Sequence, residues 1–524
     1  MSDENAPNIG ELPWRFNAAE DLLAPNLAAR PGKTAIIDHR GSCTYAELAS
    51  RIERMAGVFA ELGLERGDRV LLCLLDTRDF PTVFLGAIRS GIVPVPVNTL
   101  QTRDDYAWIL ADSEARAVVV SGDLAADWSG IADANLRVRF VSSEGGPWVD
   151  LEQLIAAASP AAVAATTRDE IAFWLYTSGS TGRPKGAMHR HGALRLTANL
   201  YGIGTAGFRE DDVVLSVAKQ FFAYGLGNAL TFPFAAGATA VLHRGRATPE
   251  AIGKLILRHK VSVLGGVPTF FAGWLGHDCC PAATQAPALR LALSAGEALP
   301  AHLAEAFRTR FGADILDGLG STEMLHIFLS QHPGEVRYGC TGKPVAGYRV
   351  RLVNDAGVVC AVGEVGDLHV CGPTSALGYW RNPEKSASTF RDGWTVTGDK
   401  YVCDEAGWYS YAGRGDDMLK VGGIYVSPIE VEEALSSHTD VIEAAVVGAP
   451  DGDALIKPCA YVVLKPGVPA SAATEAALKS HVKGLLAPYK YPRWIEFLDE
   501  LPKTATGKIQ RFKLRGSRCE VSAS

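Results

Sequence analysis

The sequence predicts an α/β fold: a large N-terminal part of sheets with crossover helices, and a small α+β domain at the C-terminus. Three observations carry that prediction. At 524 residues the chain is too long for one hydrophobic core, so two or more domains are expected. Helical and strand-like apolar patterns alternate through the first half, as parallel sheets with crossover helices require. The pattern then breaks at Gly413-Arg414-Gly415-Asp416-Asp417, beyond which lie about 100 residues, a size typical of an independent domain.

Taken in order, Ile52, Met55, Ala56, Phe59, Ala60 and Leu62 recur at helical spacing, and Arg69 to Leu75 is a buried strand. Phe80 to Ser90 is helical, and Gly91 to Val97 is extended. The alanine-rich stretch Ala156–Ala165 is a surface connection. Ile171 to Leu175 is a short buried strand, and further strands are predicted at Val213–Ala218, Val261–Leu264, Leu289–Ser294 and Asp314–Leu316. From about residue 345 short alternating strands with Gly and Asp turns, such as Tyr348–Val353 and Gly366–Cys371, predict a small barrel-like subdomain over 345–412. Past the break come a helix begun near Pro428, strands at Glu443–Val447 and Pro458–Leu464, and a helix around Ser471–Leu486. A basic tail runs from Lys490 to Arg515. The domains are therefore placed at 1–415 and 416–524.

Composition narrows the function. With 51 Lys and Arg against 58 Asp and Glu, the net charge of −7 gives no electrostatic reason for nucleic acid or an anionic membrane as partner. No apolar run is long enough to span a bilayer, and the acidic start Met1-Ser2-Asp3-Glu4 lacks the basic and apolar regions of a signal peptide. Ten cysteines without metal spacing fit reduced thiols, and adjacent Cys279-Cys280 are too close for an ordinary structural disulfide. A cytoplasmic enzyme is expected.

The most informative stretch is Tyr176-Thr177-Ser178-Gly179-Ser180-Thr181-Gly182-Arg183-Pro184-Lys185-Gly186. A strand running into hydroxyls and glycines makes a phosphate cradle: glycine lets backbone N–H groups approach an anion, and Ser, Thr and Lys add donors and charge. It is not a Walker A loop, because Pro184 stands where the second glycine would be. Gly320-Ser321-Thr322-Glu323 follows another predicted strand and offers an oxygen ligand suited to Mg²⁺. The alternative, that Thr322 and Glu323 cap a helix running Met324-Leu325-His326-Ile327, stands beside it, and the two are compatible.

These motifs resemble, in the same order, those of the adenylate-forming superfamily of acyl- and aryl-CoA ligases, peptide-synthetase adenylation domains and luciferases. Thr397-Gly398-Asp399, Tyr411-Ala412-Gly413-Arg414-Gly415-Asp416-Asp417 and Pro502-Lys503-Thr504-Ala505-Thr506-Gly507-Lys508 match further family segments. The resemblance implies ATP, Mg²⁺ and coenzyme A as reactants. It implies nucleotide contacts at Thr177, Ser178, Gly179, Ser180, Thr181 and Lys185, at Asp399 for the ribose diol and at Arg414, with Asp317 a candidate for the adenine amino group. Thr322 would meet the α-phosphate, Glu323 would hold the metal, and Lys508 would be the catalytic lysine. It further implies a C-terminal domain that swings about Asp416, replacing Lys508 by Lys420-Val421-Gly422-Gly423 for the thioester step; the plain alternative for Gly422 and Gly423 is an ordinary loop.

The stretches Phe221–Asn228, Ser294–Ala298 and Asp317–Phe328 look most like benzoate-CoA ligases and their ring-substituted relatives. The implied acyl pocket comprises Phe222, Ala223, Tyr224, Ala295, Gly320, His326 and Ile327, flat and apolar as a ring requires. The alternative for Phe222 and Tyr224 is plain core packing, and His326 reads equally as a satisfied wall residue or as a hydrogen-bond partner for a ring substituent or water. Leu319 departs from the aromatic residue usual in the wider superfamily, an aliphatic choice shared with benzoate-type ligases. The expected function is ATP-dependent conversion of benzoate or a substituted benzoate to its CoA thioester. The alternatives are a short- or medium-chain acyl-CoA ligase, and an adenylation enzyme serving a carrier protein in trans, since no carrier domain is fused. A monomer or homodimer is expected, with acetylation and deacetylation of Lys508 as a means of control.

Overall fold

The computed structural model describes residues 11–134, 138–179, 182–414, 417–421, 424–451, 456–486, 490–503 and 509–515. It forms two compact units: Met1–Val350 with Val370–Val396, and Arg351–His369 with Thr397–Ser524. The second unit thus takes in stretches that lie ahead of residue 416 in sequence, and the division falls inside the strands Arg349–Val353, Gly366–Cys371 and Trp394–Cys403.

The first unit is built on two sheets. One is wholly parallel, in the order Val93–Pro96, Arg69–Cys73, Ala117–Ser121, Arg139–Ser143, Val149–Asp150. The other runs Lys343–Pro344, Ile327–Ser330, Ile315–Gly320, Leu291–Ala295, Val263–Gly266, Val213–Ser216, Thr239–Val241, Thr34–Asp38, Gly41–Thr44. Its central strands are parallel and its margins antiparallel.

Strands buried on both faces must be apolar at every position, which is why they appear in the sequence as continuous runs. Val70 and Leu72 face a core shared with Ile36, Ala240 and the helices Ala18–Ala29, Tyr45–Glu61 and Asp79–Arg89. Leu71 and Cys73 point the other way, toward Tyr106, Trp128 and Trp174. Helices Pro249–His259, Pro268–Leu275 and Ala301–Phe311 cover the remaining face of the larger sheet. Their starts obey local chemistry: Thr44 caps Tyr45–Glu61 with a capping box closed by Glu47, and Thr248 caps a helix with Pro249 in its first turn.

One expectation and one alternative reading change here. The strand beginning at Ile171 runs on to Gly179 and pairs with a second strand, Gly182–Arg190, so the glycine-rich segment is a hairpin rather than a strand followed by a loop. Residues 324–327 form no helix: Ser321, not Thr322, accepts the Met324 N–H, one 3-10 turn spans Thr322–Met324, and Leu325 at φ +70° throws the chain into the strand Ile327–Ser330.

The second unit packs helices Pro428–Ser436 and Ala472–Leu485 on the sheet Val441–Pro450, Ile456–Leu464, Trp494–Phe497. Ala444 and Val446 face the helices, while Ala445 and Val447 face a second cluster with Tyr461, Leu501 and Leu514. Glu432, buried among them, takes both oxygens to Arg511 at 2.7 and 2.9 Å and accepts the Val446 N–H.

Candidate active site

Phe222, Ala295 and the Thr322-Glu323 turn each lie at or just beyond the carboxyl end of a parallel strand of the larger sheet. That edge is where open α/β sheets bind ligands, because loops leaving the strands diverge there. The hairpin brings Thr177 opposite Lys185. Gly320 has no room for a side chain, since a Cβ would fall 2.6 Å from the His326 carbonyl oxygen.

One segment, Thr374–Trp380, ties hairpin and turn together. Its backbone exchanges hydrogen bonds with Met188, from Leu377 N–H at 2.9 Å and to Gly378 at 3.0 Å, and Trp380 N–H reaches Gly186 at 2.8 Å. On its other side Ala376 N–H donates to the Glu323 carbonyl at 2.7 Å, and Thr374 Oγ1 donates to the Met324 carbonyl at 2.8 Å. Tyr379 stands at the centre. Its hydroxyl donates to Glu323 Oε1 at 2.7 Å, and the Lys185 ammonium lies 5.6 Å from its ring centroid. Burial lowers the affinity of Lys185 for its proton.

The Glu323 carboxylate makes no ion pair among the described residues, and Tyr379 is a neutral donor. A hard oxygen ligand with no cation in direct contact among the described residues fits a magnesium ion. This hairpin, turn and strap belong to the stretch, residues 23–380, that matches the family model for AMP-binding enzymes, and residues 430–508 match the model for their C-terminal domain. The chain belongs to the AMP-binding enzyme family.

Its relatives narrow the family further. The chain is 54% identical over 518 residues to a benzoate–CoA ligase of Thauera aromatica, covering 98% of each. It also matches the crystal structure of a benzoate CoA ligase from Burkholderia xenovorans LB400 at 50% identity and TM-score 0.90, over 95% of this chain and 100% of that one. An anthranilate CoA ligase solved with anthranoyl-AMP matches at 40% identity and TM-score 0.92, over 97% and 98% of the two chains.

In this family member the candidate acyl wall is aromatic and tightly packed. Phe222 is extended and leads into the turn Ala223–Leu226, leaving Phe222, Ala223 and Tyr224 half-buried. His326 is buried between Tyr201, Tyr224 and Phe232, at centroid distances of 5.2, 5.5 and 4.5 Å. Its Nε2 lies 3.2 Å from the Tyr224 carbonyl, which places the proton on Nε2, and burial lowers its pKa to about 3, so the ring is neutral. Ile327 and Ala295, the other apolar residues predicted for this wall, are buried.

Asp317 pairs in register with Ser294; burial raises its carboxyl well above the usual range, and its Oδ1 has no hydrogen-bond partner among the described residues. In the second unit Asp399 faces Arg414 across two paired strands, with Arg414 Nη1 3.0 Å from Asp399 Oδ1.

Several predicted positions fall outside the described residues: Ser180, Thr181, Asp416, Gly422, Gly423 and Lys508, together with the side chains of Ser178 and Lys420; Gly179 is described only as backbone. Tyr379 was not predicted. Nothing local in Gly378-Tyr379-Trp380 marks it, since its partner Glu323 lies far away in sequence and is met only through the fold. The cluster Glu250, His277 and Cys279 draws the eye as a metal centre. However, His277 Nδ1 accepts the Cys279 N–H at 3.1 Å, leaving its proton on Nε2 facing Glu250 at 2.9 Å, so the group is satisfied as it stands.

Proposed function

We propose that this chain joins benzoate, or a ring-substituted benzoate, to coenzyme A, splitting ATP to AMP and pyrophosphate. The observation that carries the reading is the 54% identity to a benzoate–CoA ligase across nearly the whole of both chains. The aromatic wall of Phe222, Tyr224 and His326 agrees with a flat, single-ring acid. Ring substituents differ by single polar contacts, so the preferred acid is left to measurement.

In the first step a carboxylate oxygen attacks the α-phosphorus, the bond to pyrophosphate breaks, and an acyl-adenylate forms. Thr177, Ser178, Gly179, Ser180, Thr181 and Lys185 cradle phosphates, Thr322 faces the α-phosphate, and Asp399 with Arg414 takes the ribose. Asp317 is offered to the adenine amino group. Glu323 would hold Mg²⁺, which offsets the phosphate charge. Lys508 supplies an ammonium where two anions meet.

In the second step the CoA thiolate attacks the acyl carbon and AMP leaves. The stretch 416–524 swings about Asp416 between the steps and brings Lys420, Gly422 and Gly423 to the thioester site. The enzyme works in the cytoplasm as a monomer or homodimer, and acetylation of Lys508 would silence the first step. Among the described residues no helix is long and apolar enough to cross a membrane.

The test is pyrophosphate release with Mg-ATP over a panel of benzoate, its 2-amino and 4-hydroxy forms, cinnamate, butyrate and octanoate, each with and without CoA. CoA-dependent turnover confined to benzoate and its ring-substituted forms is expected. Preference for octanoate, or one pyrophosphate burst that CoA does not convert to steady release, would overturn the reading.

A further inference from the structure

We propose that Tyr379 is a positioning residue for the metal–nucleotide complex, orienting the Glu323 carboxylate through its hydroxyl and the Lys185 ammonium through its ring. The inference rests on the reading of Glu323 as the metal carboxylate. Tyr379 is 5% exposed, so its ring cannot wander. Its hydroxyl fixes Glu323 Oε1 at 2.7 Å and leaves the other oxygen to a cation.

A neutral donor is the right choice here. An Arg or Lys in that place would orient the carboxylate equally well but would cancel the charge that the metal needs. The ring presents its negative face to Lys185 at 5.6 Å, holding that cation by attraction rather than by a hydrogen bond that would use up its protons. The strap also bonds to both elements by backbone, so hydroxyl and ring act from a fixed platform.

The experiment compares the parent chain with Tyr379→Phe, Tyr379→Leu, Tyr379→His, Glu323→Gln and the Tyr379→Phe/Glu323→Gln double variant. Each is checked for a cooperative melt. Two quantities are read: the Mg²⁺ concentration giving half-maximal pyrophosphate release at saturating ATP, and Mn²⁺ affinity of the enzyme–ATP complex by electron paramagnetic resonance without carboxylic acid.

Loss of an outer hydrogen bond to a metal ligand weakens binding about 10-fold, so Tyr379→Phe should shift both readings by that factor while kcat at saturating metal changes less than about threefold. Tyr379→Leu should in addition raise the KM for ATP, and Tyr379→His, which keeps a ring and a donor, should recover metal affinity. The double variant should bind metal no worse than Glu323→Gln. Unchanged metal response in Glu323→Gln would remove the metal role of Glu323 itself. A weakened Glu323→Gln beside a Tyr379→Phe or Tyr379→His within twofold of parent and of Tyr379→Leu respectively would sink the role given to Tyr379 alone.

Discussion

A single methyl group at Gly227 should cost this enzyme its aromatic substrate while sparing its nucleotide. A Cβ at that position would lie 2.3 Å from His326 Cδ2, 2.5 Å from its Nε2 and 2.9 Å from Phe232 Cζ. Carbon atoms in ordinary contact sit about 3.5–4.0 Å apart, so the imidazole has to retreat by more than an ångström. It has nowhere to go, because Tyr201, Tyr224 and Phe232 enclose it.

The retreat also breaks the 3.2 Å hydrogen bond to the Tyr224 carbonyl. Overpacking of this kind costs about 1–3 kcal/mol, and stranding a buried polar group costs about 1–3 kcal/mol more. A misplacement of about 1 Å at a reacting pair lowers a rate roughly 100-fold. For Gly227→Ala the expected fall in kcat/KM for benzoate is therefore about 10- to 100-fold, with the KM for ATP within twofold. Coupled pyrophosphate assays at saturating ATP and CoA give both numbers. A variant that is still folded at the assay temperature and keeps kcat/KM for benzoate within twofold would show that the His326 wall does not set the acyl site.

Acid should loosen the first unit partly through His191, whose Nδ1 accepts the Ala18 N–H at 3.2 Å and whose pKa burial lowers to about 4. The unfolded chain takes up that proton near pH 6.5, so stability is full above that pH and drains away toward pH 4. The loss is about 1.4 kcal/mol at pH 5.5 and about 3 kcal/mol at pH 4. Buried Asp76, raised to about 6, runs the opposite way, its share being lost as pH rises through 6. Urea unfolding of His191→Gln and parent at pH 7.5 and 5.5 isolates the histidine; equal slopes in the two proteins would refute its part.

Arg511→Met strands the Glu432 carboxylate and should lower the stability of the second unit by about 3–5 kcal/mol. A calorimetric loss under 1 kcal/mol would contradict that. Lys508→Ala should abolish pyrophosphate release yet still make thioester from supplied benzoyl-adenylate and CoA; equal loss of both half-reactions would show the lysine is not confined to the first.

Much of this was legible in the sequence because it is carried by contiguous runs. The parallel strands at Arg69, Val213 and Leu291 follow from apolar stretches, and the Gly/Ser/Thr-rich and Thr322-Glu323 segments are local signals that need no partner to be seen. What escaped depends on distance or on backbone strain. The second strand of the hairpin contains Gly182, Pro184 and Gly186, poor strand formers that owe their conformation to pairing with Ile171–Gly179 and the strap. The alternative reading of a helix after Glu323 is prevented by Leu325, whose positive φ no propensity scale anticipates. Tyr379 is invisible for the same reason as the unit boundaries: each is a relation between segments far apart in the chain.

The strap has a consequence for how the chain is made. Residues 182–190 leave the ribosome roughly 190 residues before Leu377–Trp380, which at usual elongation rates is an interval of about 10–40 s. Throughout it the Gly186–Met188 edge of the hairpin is a row of unmet backbone donors and acceptors, and such edges invite other strands. The strap thus reaches the hairpin long after both of its strands have been synthesised. A nascent chain halted before Trp380 would carry every residue of that hairpin and yet lack the piece that makes it hold.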